Sequence, residues 1–280
     1  MRRRGSPIWM TEPALTAAAR RIAAVSETPR LDAELLMAHA LGVDRDQMLL
    51  GGAPKDAPPG FEALVARRLA HEPVAYITGR RAFWTIDLGV APGVLIPRPD
   101  SETLIETAVD HFGRGGPARI LDLGVGSGAL LLAALDQWPS ATGIGVDRSP
   151  AALAIASANA DRLGLSARAQ FVAGDWAEGL AGPFDLILCN PPYVEADAVL
   201  PLEVQGHEPA SALFAGAEGL DDYRRLIPQL PALLAPGGVA AIEIGATQAA
   251  AVSALARAAG FAVAVRRDLA GLDRCLALTR

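Results

Sequence analysis

The sequence predicts an α/β protein in which a small helical bundle precedes an open, mostly parallel sheet with helices on both faces. Three observations carry this. After Gly115-Gly116-Pro117, β-prone and helical runs alternate to the end of the chain. The last two predicted strands, 262–267 and 274–278, are separated only by a short segment around Gly271. A parallel crossover takes a dozen or more residues, so this last pair runs antiparallel. Before about residue 70, by contrast, apolar residues recur at helical spacing.

Three helical stretches come first, marked by Leu15, Ala18, Ala19 and Ile22, by Leu31, Leu35, Leu36, Ala38 and His39, and by Phe61, Leu64, Val65 and Leu69. Breakers at Thr28-Pro29, Ala53-Pro54 and Pro58-Pro59-Gly60 separate them. From residue 75 to 95 the pattern turns β-prone (Ala82-Phe83-Trp84, Ile86, Leu88, Val90), which predicts a hairpin. Asp100 or Ser101 is positioned to cap a helix to about Phe112, with Glu102 in its first turn where it suits the dipole. Strand 120–123 and a helix from Ala129 follow, then strand 143–146 and a helix from Pro150 with Ser149 as its cap. Strands 169–173 and 184–188, helix 222–234, strand 239–244 and helix 247–259 complete the series. The expected domains are a helical one over 1–73, a hairpin linker over 74–100 and the sheet domain over 101–280.

The 280 residues are 51% hydrophobic and 20% charged, enough for one large domain or two modest ones. No uninterrupted apolar run approaches the roughly 18 residues of a membrane span. Residues 5–12 hold no apolar signal-peptide core, and Met10 is an alternative initiator. Two cysteines, Cys189 and Cys275, make neither a disulfide framework nor a thiolate zinc site, so a cytoplasmic setting is expected. His39 and His71 have no cysteine or second histidine beside them and read as structural, so no metal is expected. The net charge of −6 argues against stable nucleic-acid binding, which usually needs a basic face.

Two segments carry chemistry. In the first, strand Ile120-Leu121-Asp122-Leu123 runs into Gly124-Val125-Gly126-Ser127-Gly128 and then a helix. Such glycines let backbone amides approach a ligand closely. The spacing also fits a dinucleotide loop, and Asp147, at the end of the next strand, suits a ribose diol in either case. Asp122 favours S-adenosyl-L-methionine, because a carboxylate there can reach an ammonium group and would repel a pyrophosphate. Asp175 and Trp176 after the third strand favour it too, as an acid and an aromatic for adenine. Their bland alternatives are a helix cap for Asp122 and core packing for Trp176.

The second segment is Phe184-Asp185-Leu186-Ile187-Leu188-Cys189-Asn190-Pro191-Pro192-Tyr193. A buried strand ends in a polar residue, two prolines and an aromatic, at the carboxyl edge where such sheets place ligands. Consecutive prolines hold the chain extended and remove backbone donors. The Asn190 side-chain carbonyl and the Pro191 carbonyl then offer two acceptors for the hydrogens of a planar NH₂, and Tyr193 offers a face to stack on it. Orienting such a poor nucleophile supplies much of the catalysis. Cys189, without a histidine partner, reads as packing.

With these residues the chain resembles the adenosyl-methionine-dependent amino-methyltransferases. Further stretches narrow the likeness: Pro73-Val74-Ala75-Tyr76-Ile77-Thr78-Gly79, Phe83-Trp84, Leu95-Ile96-Pro97-Arg98-Pro99-Asp100-Ser101-Glu102 and His207-Glu208-Pro209 with Ala212-Leu213-Phe214. With Glu243-Ile244-Gly245 and Asp268-Leu269-Ala270-Gly271 before Asp273-Arg274, they are similar to the peptide chain release factor N5-glutamine methyltransferase (PrmC/HemK) family. The resemblance runs from about Leu31 to the C-terminus. It implies a seven-stranded class I methyltransferase (Rossmann-like) sheet and methylation of the glutamine in the Gly-Gly-Gln loop of peptide chain release factors one and two. It implies that Gly124 to Gly128 wrap the methionine part, Asp147 binds the ribose, Trp176 lies by adenine and Asn190 to Tyr193 hold the glutamine. Val125 and Leu272 stand where that family often has Thr and Arg.

Rival readings are a DNA adenine-N6 methyltransferase, which carries the same four-residue turn, and a glutamine methyltransferase of a ribosomal protein. The acidic balance, and the absence of a basic, aromatic-rich recognition segment, weigh against the first. Ile96 to Asp100 and the Gly79 segment weigh against the second. A nicotinamide oxidoreductase is disfavoured by the antiparallel tail and by Asp122, and a non-catalytic adapter would not need Asn190 and Tyr193. The helical domain is expected to recognise the protein substrate and the chain to act as a monomer. Arg80, Arg81 and Arg98 read as solvated or ion-paired, and Glu243 carries no assignment.

Overall fold

The computed structural model describes residues 12–280, so Met10 and the start of the predicted first domain lie outside the described residues. The chain divides into two compact units, one formed by residues up to Thr78 with Leu202–His207, the other by 79–201 with 208–280.

In the first unit, α1 (Ala14–Ile22), α2 (Pro29–Leu41), α3 (Arg45–Gly51), α4 (Phe61–Leu69) and α5 (Val74–Thr78) bury Leu15, Ile22, Leu36, Met37, Phe61 and Val65 together. Pro29 opens α2 at a position whose amide would be unpaired anyway, and Gly42 closes it at φ 67°. The sequence pattern misses α3, which buries only Met48 and therefore shows no stripe. It also misreads α5 as the start of the β-prone stretch. Val74, Ile77 and Thr78 are β-branched, but packing of buried Tyr76 and Ile77 overrides that local preference. The helix α9 (Leu202–His207) belongs to this unit through Arg68. The buried Arg68 donates from Nε to Asp32 Oδ2 at 2.7 Å, and its Nη2 lies 2.8 Å from Glu203 Oε2.

The second unit contains the two-stranded hairpin β1 (Arg80–Phe83) and β2 (Ile86–Gly89) and a seven-stranded sheet. Its strands are β3 (Arg119–Leu123), β4 (Thr142–Asp147), β5 (Ala169–Ala173), β6 (Phe184–Cys189), β7 (Leu234–Glu243), β8 (Ala262–Arg267) and β9 (Asp273–Thr279). They lie in the order β5-β4-β3-β6-β7-β9-β8, with β9 antiparallel to both neighbours and the other pairings parallel. The helices are α6 (Glu102–Phe112), α7 (Ala129–Gln137), α8 (Pro150–Arg162), α10 (Asp221–Leu226) and α11 (Ala249–Ala258).

Strand alternation sorts the core into two layers. Leu186 and Leu188 of β6 pack with Leu104 of α6 and Leu131 of α7, whereas Ile187 and Cys189 pack on the other face with Tyr223 and Val252. The hairpin is not a separate linker. Phe83, Ile86 and Leu88 are buried in the same layer as α6 and α7, and the Asn159 amide clamps Gly89 from both sides, accepting from its amide at 2.7 Å and donating to its carbonyl at 2.9 Å. The predicted helix 222–234 is broken: α10 passes at Ile227 into a 3-10 segment to Ala232, because Pro228 and Pro231 remove backbone donors. The strand β7 begins five residues earlier than its pattern suggests, running through Gly237-Gly238 with a register shift against β6.

Arg68→Met strands the buried Asp32 carboxylate without its partner. It is expected to lower the unfolding free energy by about 3 kcal/mol in urea titrations of the full chain.

Candidate active site

Two loops meet at the carboxyl edge of the sheet. β3 continues to β4 on one side while β6 pairs on its other side, so the strand order reverses around β3. Crevices at such a reversal are where open α/β sheets bind ligands. Leu123 and Cys189 are register partners, so the glycine loop and the Asn190 turn leave the sheet next to each other. Between them lies a cavity of about 360 Å³, within the range of small-molecule sites. Of the residues singled out in the sequence, Asp122, Gly124, Val125, Gly126, Ser127, Asp147, Asp175, Trp176, Asn190 and Pro192 line it. Gly128, Pro191 and Tyr193 do not.

The glycine loop takes the form that its residues demand. Gly124, Gly126 and Gly128 have φ of 77°, 53° and 87°, in the region that side chains disfavour. Gly128 is the last residue before α7. Asp147 shapes the turn, its Oδ2 accepting from the Gly126 amide and its Oδ1 from the Ser149 amide, both at 2.9 Å. Each carboxylate oxygen has a further lone pair, so a ribose diol can still be held there. Ser149 caps α8 by accepting from the Ala152 amide at 3.3 Å, as expected.

Asp122 accepts from the first turn of α7 and also lines the cavity. Alternation along β3 turns it toward α7, where Oδ2 accepts from the Leu131 amide at 3.1 Å. Its Oδ1 is buried with no hydrogen-bond partner. Burial pushes its pKa up to about 7; the Leu131 amide opposes this and Asp147 adds to it. An acceptor left unsatisfied beside a second carboxylate suits a cationic group such as an ammonium. On the far wall Trp176 sits at φ 53° and packs against Gly124. Asp175 is ion-paired with Arg225, which positions it at the rim.

The Asn190 turn is gripped from beneath. Asn190 Nδ2 donates to Ser101 Oγ at 3.1 Å, which leaves Oδ1 as the free end of the amide. Ser101 is 3% exposed and makes no helix-capping bond, so the expected cap is instead a support for the turn. The Tyr193 hydroxyl donates to Glu243 Oε1 at 3.3 Å, and burial raises its pKa, so it stays protonated. Gln248 Nε2 donates to the Tyr193 carbonyl at 3.0 Å and to the Gly219 carbonyl at 3.2 Å. A Cβ on Gly219 would stand 2.2 Å from the Tyr193 oxygen, so only glycine allows this approach. Burial pushes the Cys189 thiol well above its ordinary range, in keeping with packing.

Pattern reading missed the residues that bring distant loops to the cavity. Glu208 accepts from the Ile96 amide at 3.1 Å and pairs with Arg98, fixing the loop that supplies Val94, Leu95 and Pro97 to the lining. Arg148 donates to the Ser211 carbonyl at 2.7 Å, and Asn159 donates to the Ser127 carbonyl at 2.8 Å. Only Asn159 left a local signal, as a polar residue on an otherwise apolar helix face.

Residues 13–79 match the family model described as PrmC N-terminal domain, and residues 117–261 match a methyltransferase domain. The release factor glutamine methyltransferase of Rhodospirillum rubrum is 48% identical over 262 residues, covering 91% of this chain and 80% of that protein. The chain belongs to the release factor glutamine methyltransferases. The Caulobacter vibrioides member is 42% identical, covering 89% of this chain and 88% of that protein. The sheet fold is also that of the T. thermophilus 16S rRNA N2 G1207 methyltransferase, solved with AdoMet and guanosine, at TM-score 0.52 and 23% identity over 72% of this chain and 50% of that one. The protein is an S-adenosylmethionine-dependent methyltransferase, and the acidic, amide-lined cavity fits that cofactor. No helix among the described residues is long and apolar enough to cross a membrane.

Burial raises the Asp122 carboxyl to about 7, so an ammonium held by its ionised form would make cofactor affinity pH-dependent. Calorimetry is expected to show roughly tenfold weaker binding at pH 6 than at pH 8. Asp122→Asn is expected to bind more weakly at pH 8 and to lose most of that pH dependence.

Proposed function

We propose that this chain transfers the methyl group of S-adenosyl-L-methionine to the side-chain amide nitrogen N5 of the glutamine in the Gly-Gly-Gln loop of peptide chain release factors one and two. The observation that carries this reading is the orientation of Asn190. With its NH₂ engaged by Ser101, its Oδ1 is the end available to a substrate NH₂. The Pro191 carbonyl is the second acceptor. Holding both hydrogens of a planar amide aims the nitrogen lone pair along one direction and favours the positive charge that develops there during attack. The bound cofactor supplies an electrophilic methyl carbon. Asp122 holds its ammonium, Asp147 its ribose and Trp176 with Asp175 its adenine, while Gly124 to Gly128 wrap the methionine chain. Pro192 lines the cavity, and the Tyr193 hydroxyl bond to Glu243 fixes the ring beside the acceptor.

The helical unit recognises the protein substrate in this reading. The enzyme acts as a cytoplasmic monomer and forms no stable complex with nucleic acid, in keeping with its net charge of −6.

Incubation with radiolabelled cofactor tests the substrate. Purified release factor is expected to take up label, and a variant with its loop glutamine replaced is not. Label appearing only on duplex DNA, or only on ribosomal protein, overturns the assignment. Asn190→Ala is expected to lower kcat by roughly a hundredfold or more while cofactor affinity changes less than about twofold. Calorimetry and rate measurements showing equal losses of both would contradict the acceptor role.

A further inference from the structure

Glu243 is a buried carboxyl that does not line the cavity. It closes β7, and alternation places it on the same face as Val239 and Ala241, against the layer that holds α6. It is 1% exposed, and its Oε2 has no hydrogen-bond partner. Oε1 takes the Tyr193 hydroxyl, and the backbone carbonyl takes the Tyr223 hydroxyl at 2.9 Å. The Ser101 hydroxyl, at the start of α6, lies beside the carboxyl and holds its pKa down.

The charged and titratable groups around it come from every neighbouring element. Arg274 of β9 is the nearby cation, but it pairs with Asp268 at 3.1 Å and with Asp100 at 3.3 Å. Asp100 adds a negative charge from the turn before α6. Tyr193, Tyr223, Cys189 and Cys275 face it with protons that burial keeps in place.

The hydrogen bonds in this cluster have a direction. Ser101 accepts from Asn190, so the serine proton must go elsewhere or stay unsatisfied in a buried place. The Glu243 carboxyl, which keeps one oxygen without a partner, is the acceptor beside it. Taking Asn190 and Tyr193 as the acceptor clamp, we propose that Glu243 is a positioning residue that sets the polarity of the clamp. Its carboxylate draws the Ser101 and Tyr193 protons, and Asn190 is thereby made to present Oδ1 rather than NH₂ to the substrate amide. A proton donor at position 243 reverses the chain. Ser101 then gives its proton to Asn190, the amide turns over, and donors face donors. Burial raises the Glu243 pKa to about 7 against the Ser101, Arg274 and Tyr193 contributions, so the productive polarity is complete above that pH and fades below it.

The test uses Glu243→Gln, which keeps the shape and adds a donor. Rates are measured at saturating cofactor, which removes the separate titration of Asp122. At pH 8 kcat is expected to fall roughly tenfold or more, with cofactor affinity within about twofold of wild type. The wild-type kcat profile is expected to show an acid limb near pH 7 that the variant lacks. Ser101→Ala, a smaller change, is expected to lower kcat and to lose the same limb. On the Ser101→Ala background, Glu243→Gln is expected to cost much less than in the wild type. An unchanged kcat in Glu243→Gln, an acid limb retained in Ser101→Ala, or fully additive losses overturns the proposal. Full activity of Asn190→Ala would instead overturn the acceptor clamp itself.

Discussion

The parallel pairing of β3 with β6 is the constraint on which the site depends. It brings Leu123 and Cys189 into register, so two loops separated by more than sixty residues of chain emerge side by side. One loop is made of glycines and presents amides. The other is made of prolines and presents carbonyls. Each lies at the carboxyl end of its strand, where side chains no longer need to continue the core. Methyl transfer between two ligands needs donors and acceptors arranged in this complementary way within a few ångströms.

Strand alternation then decides where the carboxyl groups of the site point. Asp122 and Glu243 both end up on the helix-covered face formed by α6 and α7, away from bulk water. In each case desolvation outweighs the neighbouring hydrogen bonds, and both pKa values rise to about 7. Each also has one oxygen without a partner. Such groups cost stability, and they persist where a ligand or a transient charge can use them.

The walls of the site come from further away in the chain. Glu208 pins the loop before α6, Arg148 holds the segment around Ser211, and Asn159 ties the hairpin to the glycine loop. These bonds explain why the hairpin packs with the sheet: its inward residues Phe83 and Leu88 complete the layer that carries α7. A hydrogen bond between residues 110 positions apart leaves no periodic trace, which is why pattern reading passed over Glu208.

What the sequence by itself determined was local or periodic. Alternating strand and helix runs, the short antiparallel tail, the glycine turn and the Asn-Pro-Pro-Tyr turn each depend on residues within about ten positions of one another. They were enough for the fold class, for the family and for the two loops that meet at the cavity. Tertiary structure decided the rest, because the remaining choices depend on partners that only folding brings near. It made Val74–Thr78 a helix despite its β-branched residues, and broke the predicted helix at Pro228 and Pro231. It turned Ser101 from a helix cap into the support of Asn190, and gave the unassigned Glu243 a place beneath Tyr193. A hydroxyl or carboxyl can accept from many groups, and only its position in space selects one.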